Sequence, residues 1–506
     1  MSQALSSMRI LLVFLCASAL LAGCGGDGIA TSQEPASVSH TSDGPEAFSL
    51  IIDSPEAYFQ HQCLDPSMQA VIPVNLNNDE YQDFIVHYWC DLEDWGEEVW
   101  TPTPDALVSH VSNGDGTYRT ANQEVFGESL VALGGASRKY ARGDINGDGI
   151  DDFVFAMNQE DGRLGIPAEM NATQPGLLIS DGIGKYRVER IGVPDWGHSA
   201  GIVSNQDGTR QVVFSGYVEG TQAFEWSEQG FVDVSEQYPD SGAWANAFTA
   251  IDRDGVTEYI AASYTEFDEQ GGARHGIRLY VRDNGVWTPT SQYLIEKQFD
   301  VDWITWSYGT EKIAVIEVAG RQYFRGSYFT MCDVEHPNRD GNSLIAAQLN
   351  TARLVSGETI EAGNVYREDE TDPVNFLMFF EYQADQLVLI DSPILNEVTN
   401  ANYNELSCKD VTNNGLTDIV VSPFTRPWLD DRIEAAGKPI IYANSGSGTF
   451  EKLDTSAVPG HSSKGFTQGF LSDVNGDGVQ DFVLFGAKVS YGQGTIEIRL
   501  MPHGVE

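Results

Sequence analysis

Seven short apolar runs recur along the chain, most of them entered from a polar segment rich in Asp, Asn and Gly: Phe84-Ile-Val86, Phe153-Val-Phe155, Val212-Val-Phe214, Tyr259-Ile260, Ile313-Ala-Val315, Ile419-Val-Val421 and Phe482-Val-Leu484. Apolar stretches this short, bounded by turn formers, read as buried strands; helices need longer stretches with a 3.6-residue period. A second element lies between them. Ser112-Asn-Gly-Asp-Gly-Thr-Tyr118, Ser180-Asp-Gly-Ile-Gly-Lys-Tyr186, Arg282-Asp-Asn-Gly-Val-Trp287 and Asn444-Ser-Gly-Ser-Gly-Thr-Phe450 each sit between two apolar runs, as hairpin turns do. The pattern predicts an all-β chain with almost no helix, one turn over 430–436 excepted.

Two of the polar segments carry a specific chemistry. Asp144-Ile-Asn146-Gly-Asp148-Gly-Ile150-Asp-Asp152 and Asp473-Val-Asn475-Gly-Asp477-Gly-Val479-Gln-Asp481 place side-chain oxygens at positions 1, 3, 5 and 9, with glycine at position 6. Such a loop suits a hard cation of Ca²⁺ size, which takes six to eight oxygens at about 2.3–2.6 Å. The glycine allows the sharp turn, and the position-7 carbonyls of Ile150 and Val479 add a ligand each. A polar turn between strands is the alternative, and it fits one copy more easily than two.

The same spacing returns in weaker form at Asp410-Val-Thr412-Asn-Asn414-Gly-Leu-Thr-Asp418 and at Asn75-Leu-Asn77-Asn-Asp79-Glu-Tyr-Gln-Asp83, which lacks the glycine. Residues 203–211 keep Asn205, Asp207 and Gly208; 250–258 keep Asp252, Asp254, Gly255 and Glu258; 304–312 keep only Gly309. First positions at 75, 144, 203, 250, 304, 410 and 473 are separated by 69, 59, 47, 54, 106 and 63 residues, mostly near the length of a propeller blade.

With these loops and turns, residues 65–490 resemble the FG-GAP/VCBS repeat family, whose best-known relatives form the integrin α-subunit head. The resemblance implies a calcium-binding β-propeller, commonly of seven blades, used for adhesion or ligand binding. It implies metal ligation by Asp144, Asn146, Asp148 and Asp152, and by Asp473, Asn475, Asp477 and Asp481. It extends less fully to Asp410, Thr412, Asn414 and Asp418, where a carboxylate has become an amide, and to Asn75, Asn77, Asp79 and Asp83. Two Ca²⁺ sites are expected, and up to four; the copies at 203, 250 and 304 are read as unoccupied. The expected fold is seven blades of four antiparallel strands with an insertion in residues 320–400, or eight blades if that insertion forms its own. His336 to Gly341 sketches a ruined loop there.

Residues 1–23 read as an export signal. Arg9 precedes an apolar run, Ile10 to Leu21, too short to span a membrane. The run closes on Leu21-Ala22-Gly23-Cys24, which resembles a bacterial lipobox and implies lipidation of Cys24. Ordinary secretory cleavage beside an incidental cysteine is the alternative. Residues 24–46 lack apolar periodicity and read as a flexible tether, leaving 47–506 for the propeller. The expected location is the bacterial cell envelope, on the outer membrane if the host has two, with membrane attachment through the lipid anchor alone.

With 29 Lys and Arg against 74 Asp and Glu, the formal charge is −45. That strongly disfavours nucleic acid as a partner, since such binding depends on neutralising phosphates. It also disfavours acidic substrates. Beyond Cys16 and Cys24, four cysteines remain, Cys63, Cys90, Cys332 and Cys408. Four allow three pairings; proximity in sequence favours Cys63 with Cys90 and Cys332 with Cys408.

Several motifs have plainer explanations. Gly197-His-Ser199-Ala-Gly201 matches the hydrolase elbow, which requires a strand turning into a helix, and no helix is predicted there. Arg142-Gly-Asp144 spells the integrin ligand tripeptide, but its aspartate opens the best calcium loop. Longer loops bear tryptophans beside charge: Trp95 and Trp100 among acids, Trp428 near Arg426 and Asp430, and Trp303 and Trp306 at the fifth repeat. Such aromatics either stack on a ligand or pack between blades. The reading is a calcium-stabilised binding or adhesion module for a glycan or an envelope or extracellular protein. Its rival is a propeller enzyme, a lyase or hydrolase of polysaccharide, for which no basic or tyrosine-bearing cluster is evident.

Overall fold

The computed structural model describes residues 47–51, 66–90, 105–158, 172–195, 197–216, 219–239, 248–267, 273–294, 301–305, 312–318, 321–334, 344–353, 373–383, 386–391, 402–424, 440–446, 450–453, 466–486 and 495–499. Cys24, the signal, the tether, the 430–436 turn, His336 to Gly341 and Trp95, Trp100, Trp306 and Trp428 lie outside them. So do Cys63, Gly309 and Asp430.

The described chain is almost entirely β. The first sheet runs β2 (Pro66–Val74), β3 (Asp83–Cys90), β4 (Asp105–Ser112) and β5 (Tyr118–Thr120), followed by one helical turn, α1 (Asn122–Val125). The second holds β6 (Ala136–Gly143), β7 (Asp152–Asn158), β8 (Gly176–Ser180) and β9 (Tyr186–Arg190). The third holds β10 (Gly197–Ser204), β11 (Arg210–Gly216), β12 (Thr221–Ser227) and β13 (Gly230–Asp233), and the fourth β14 (Phe248–Arg253), β15 (Val256–Phe267), β16 (Ala273–Asp283) and β17 (Val286–Leu294).

The fifth sheet is larger. It orders β18 (Val301–Thr305), β19 (Lys312–Val318), β20 (Arg321–Val334), β21 (Leu344–Arg353), β22 (Pro373–Gln383) and β23 (Gln386–Asp391). A sixth follows with β24 (Asn402–Lys409), β25 (Asp418–Phe424), β26 (Ile440–Asn444) and β27 (Phe450–Lys452). The seventh combines β28 (Phe466–Ser472), β29 (Asp481–Gly486) and β30 (Thr495–Arg499) with β1 (Ala47–Ile51), in the order β1-β30-β29-β28. β1 and β30 pair antiparallel, from Ala47 opposite Arg499 to Ile51 opposite Thr495, so the two ends of the ring meet in one sheet.

These sheets form an all-β propeller of four-stranded blades. Seven uniform blades are not what is seen. Five sheets follow the template of four consecutive strands. In the seventh, only three strands are consecutive, and the outermost is supplied by residues 47–51. In the fifth, the expected insertion adds two strands to the sheet and does not form a blade of its own. The physical reason is edge pairing: β21 and β22 have long apolar segments that pair residue for residue, Leu344 opposite Glu381 through Ala352 opposite Pro373.

Packing explains why the second strands are apolar without interruption. β3, β7, β11 and β29 are each covered on both faces by a neighbouring sheet, so polar alternation is lost. Phe84 and Val86 pack with Val483, Phe485, Ile496 and Ile498 of the seventh sheet, whereas the intervening Ile85 packs with Phe153 and Phe155 of the second. Val154 and Ala156 then face Val212 and Phe214 of the third, and Val213 faces Ile260 and Trp287 of the fourth. Val420 and Ile441 of the sixth meet Leu471 and Phe482 of the seventh. The period-2 geometry of one strand thus joins two interfaces.

Cys408, on β24, is disulfide-bonded, and β24 packs against β20, the strand carrying Cys332. Among the described residues no helix is long and apolar enough to cross a membrane.

Candidate metal-binding loops

Each of the four acidic loops joins the first strand of its sheet to the second. The third-to-fourth-strand hairpins at 112–118, 180–186, 283–286 and 444–450 leave the sheets at that same end, because strand directions alternate. Loop and hairpin therefore meet.

In the 144–152 loop the Asp144 carboxylate accepts the N–H groups of Gly147 at 2.7 Å, Asp148 at 3.1 Å and Gly149 at 2.9 Å. Asn146 Oδ1 accepts Asp148 N–H at 3.0 Å, and Asp148 accepts Ile150 N–H at 2.8 Å. The 473–481 loop repeats this: Asp473 accepts Gly476, Asp477 and Gly478, Asn475 accepts Asp477, and Asp477 accepts Val479. The 410–418 loop keeps Asp410 on Asn414 and Gly415, and Asn414 on Leu416. Position 6 is left-handed in all three, with φ of +84° at Gly149, +82° at Gly415 and +84° at Gly478. No atom crowds a Cβ there, so glycine is needed for backbone conformation alone.

The 75–83 loop takes another course. Glu80 holds position 6 without a positive φ, and the Asn75 amide donates to the Asp79 carbonyl at 2.6 Å while accepting Asn78 N–H at 2.6 Å. Asn77 accepts Asp79 N–H at 3.1 Å and Asp79 accepts Tyr81 N–H at 2.9 Å.

The ninth position behaves differently from the rest. Asp83, Asp152, Asp418 and Asp481 are all fully buried. Asp152 Oδ2 accepts Ile145 N–H at 2.7 Å and Asn146 N–H at 3.2 Å, while Oδ1 accepts Ser180 N–H at 2.6 Å. Asp83 joins Leu76 to Ser112, Asp418 joins Val411 and Thr412 to Asn444, and Asp481 accepts Val474 N–H at 3.0 Å. Burial pushes the Asp152 carboxyl up to about 6, with the three N–H donors acting against it; Asp83 is raised for the same reason. The hairpin answers through its tyrosine: Tyr118 and Tyr186 donate to the position-8 carbonyls of Gln82 and Asp151 at 3.2 and 3.0 Å.

Among the described residues, no three His, Cys, Asp or Glu side chains converge as a ready metal cluster. The ninth carboxylate is turned to the backbone, leaving two carboxylates and an amide oxygen in each of the two full loops. With the Ile150 and Val479 carbonyls these are all hard oxygen donors, and the set fits Ca²⁺ in kind.

The remaining registers are not loops of this class. Val203 and Ser204 lie in β10, and Arg210 and Gln211 in β11. Between them Asn205-Gln-Asp207-Gly-Thr209 forms the same five-residue turn as Asn113-Gly-Asp115-Gly-Thr117 in the first hairpin. Asn205 N–H and Asn113 N–H each bond a Thr carbonyl at 2.9 Å, and Thr209 and Thr117 N–H each bond an Asp at 3.0 Å. In 250–258 the strands close on Asp254 and Gly255, at φ +51° and +78°, a two-residue turn that leaves Asp252 and Glu258 in strands. Ile304 lies in β18 and Lys312 in β19.

Neighbouring loops touch. Asn413 donates to the Gly478 carbonyl at 2.6 Å, Gln82 N–H to the Val474 carbonyl at 3.0 Å, and Arg210 to the Asp144 carbonyl at 3.3 Å. The Arg-Gly-Asp tripeptide is engaged at both ends, Arg142 by Asp151 at 2.5 Å and Asp144 within its loop.

Two other features bear on catalysis. The elbow-like segment Gly197–Gly201 is strand, Ser199 is buried, and a Cβ at Gly201 would lie 2.2 Å from the Phe248 ring. Gly201 thus serves the packing of the third sheet on the fourth, and Gly197, where a Cβ would lie 3.0 Å from the Met157 carbonyl oxygen, its packing on the second. A buried chain at the opposite end of the sheets has no local sequence signature, since its members lie far apart in the chain: His87 lies 2.7 Å from Ser137 Oγ and 3.2 Å from Asp105, which accepts Leu133 and Gly134 N–H. All three side chains are shut away from solvent, so the group pins the first sheet to the second and offers no nucleophile to a substrate.

A family model described as FG-GAP-like repeat matches residues 410–484, the sixth-sheet loop through the seventh-sheet loop. This stretch is an FG-GAP-like repeat. It contains two of the four loops, and the repeat's geometry recurs at 144–152 and, with altered path, at 75–83. No curated protein matches the chain. Among solved structures, a periplasmic gluconolactonase of Pseudomonas aeruginosa is 10% identical over 73% of this chain and 81% of its own, with a TM-score of 0.37. A polysaccharide lyase is 9% identical, covering 94% and 91%, at 0.33. An exo-β-1,3-galactanase of Clostridium thermocellum is 11% identical, covering 79% and 75%, at 0.28. Likenesses this low carry no functional argument.

Proposed function

We propose that the chain is a calcium-stabilised β-propeller that serves as a binding module for a glycan or an envelope protein. In this reading it is lipid-anchored at Cys24 to the bacterial cell envelope. The observation that supports the calcium reading is the recurrence of one hydrogen-bonded oxygen loop at the same end of several sheets. Asp144, Asn146, Asp148 and the Ile150 carbonyl would hold one ion, and Asp473, Asn475, Asp477 and the Val479 carbonyl a second, on loops fixed by Asp152 and Asp481. Asp410, Thr412 and Asn414 form a poorer set on the loop that Asp418 fixes, and Asn75, Asn77 and Asp79 the poorest on the loop that Asp83 fixes, since Asn75 already satisfies its loop with a hydrogen bond. Bound calcium would offset the paired carboxylates and add stability through binding linkage. The protein's own residues do the rest: the ninth aspartate holds the loop on the hairpin, and the loops brace one another between sheets.

A binding role is supported over catalysis by the character of what is exposed. The Ser137–His87–Asp105 chain is sealed, and the acidic surface repels acidic sugars. The test is thermal unfolding of the mature chain with calcium and with chelator, with metal content by mass spectrometry, followed by a neutral- and amino-sugar glycan array. A calcium-dependent rise with two to four ions supports the reading; no bound metal and no shift overturns the calcium part. Turnover of any arrayed polysaccharide would overturn the binding-module part.

A further inference from the structure

Where the third sheet has lost the long loop, a side chain from the fourth sheet reaches its short one. Arg282, near the end of β16, donates from Nη1 to Asn205 Oδ1 and from Nη2 to Gln237 Oε1 at 3.0 Å. Asn205 is the first residue after β10, as Asp144 is the first after β6. Gln211 holds the ninth register position, where the first, second, sixth and seventh sheets have their buried aspartate, and it too is fully buried. Its amide donates to Glu225 at 2.8 Å and to Gln237 at 3.1 Å, and its carbonyl oxygen accepts the Tyr238 hydroxyl at 2.6 Å. Asn205 closes the circuit with a 3.2 Å bond to the same Glu225 oxygen. The guanidinium is steadied from behind by Trp287, 5.9 Å from its ring centre.

We propose that Arg282 is the third sheet's built-in substitute for a bound cation, an inference that rests on the calcium reading of the other loops. A guanidinium is charged at every working pH and presents five donors in a fixed fork, so it can collect side-chain oxygens that would otherwise face a metal. It arrives covalently attached to the next sheet, and so ties the third sheet to the fourth as the loop contacts tie the sixth to the seventh and the seventh to the first. The consequence is a ring with two regimes. The arc from the sixth sheet through the second depends on calcium; the third and fourth sheets hold together without it.

The test is hydrogen exchange read by mass spectrometry on the full mature chain, wild type and Arg282→Met, each with calcium and with chelator. In the wild type, chelation should speed exchange at 144–152 and 473–481 and leave 205–209 and 235–239 unchanged. Arg282→Met should speed exchange at 205–209 and 235–239 about fivefold, the scale of a lost hydrogen bond, equally with and without calcium. No change there in Arg282→Met, or chelator sensitivity of 205–209 in the wild type, overturns the substitution. Chelator insensitivity of every loop instead overturns the calcium reading and the substitution built on it, and the Arg282→Met comparison without calcium still shows whether the tie exists.

Discussion

Asp152 accepts the backbone N–H of Ser180 at 2.6 Å, across 28 residues of chain, while its other oxygen holds Ile145 and Asn146. One buried carboxylate therefore joins the start of a loop to the end of the third strand. Asp152→Ala leaves three backbone donors unsatisfied, each costing about 1–3 kcal/mol when buried. We expect a loss of about 3–5 kcal/mol in urea unfolding, present with or without calcium. Unchanged stability would show that the loop and hairpin are held by something else.

Asp148 and Asp477 face the other way and are exposed, so their truncation separates metal binding from folding. Asp148→Ala and Asp477→Ala should each lower the bound calcium by one ion and reduce the calcium-dependent rise in Tm. In chelator they should unfold close to wild type. For scale, saturating one site to about a thousand times Kd adds about 4 kcal/mol. Full calcium content in both variants would remove positions 5 from the ligand set.

How much of this was legible depends on the sequence distance of the chemistry. The loops were readable because Asp144 to Asp152 carry their pattern within nine residues, and the strands after them because both faces are buried. The role of the ninth aspartate was not, since its partner Ser180 is set by the register of β7 and β8. Nor was the closing strand: Ala47–Ile51 has no local feature that selects Thr495–Arg499. The two added strands of the fifth sheet were visible as apolar runs, but pairing decides whether such runs extend a sheet or start one. The Arg282 circuit draws on four separate segments. One signal was present and unused: position 4 is Asn78, Gly147, Asn413 or Gly476, residues that tolerate the left-handed backbone all four adopt.

His110, on β4, is fully enclosed, and burial lowers it from 6.5 to about 4 in the folded chain. The folded state thus binds fewer protons than the unfolded state between these values. Stability from this group is fully present above about pH 6.5 and is lost as pH falls towards 4. A shift of that size corresponds to about 3 kcal/mol. Because carboxylates titrate in the same range, the comparison is between wild type and His110→Leu: the difference in unfolding free energy should change by that amount from pH 7.5 to 4. A constant difference would mean the site admits the charged imidazole.

Gly184 sits in the second sheet's hairpin at φ +73°, and a Cβ built on it would lie 1.9 Å from the carbonyl oxygen of Leu76 in the first sheet's loop. That oxygen belongs to backbone already fixed by Asp83, which accepts Leu76 N–H at 2.6 Å, so it cannot retreat without breaking a buried bond. Gly184→Ala therefore combines a left-handed penalty with a clash that no side-chain rotation relieves. We expect a loss of about 3 kcal/mol or more. Gly182, in the same turn and also left-handed at φ +114° but with open space around it, provides the control. Gly182→Ala should cost only the backbone term, about 1–2 kcal/mol. Equal losses in the two variants would show that the hairpin of one sheet does not bear on the loop of the next, and that loop-to-hairpin contact between sheets is not what holds this end of the ring.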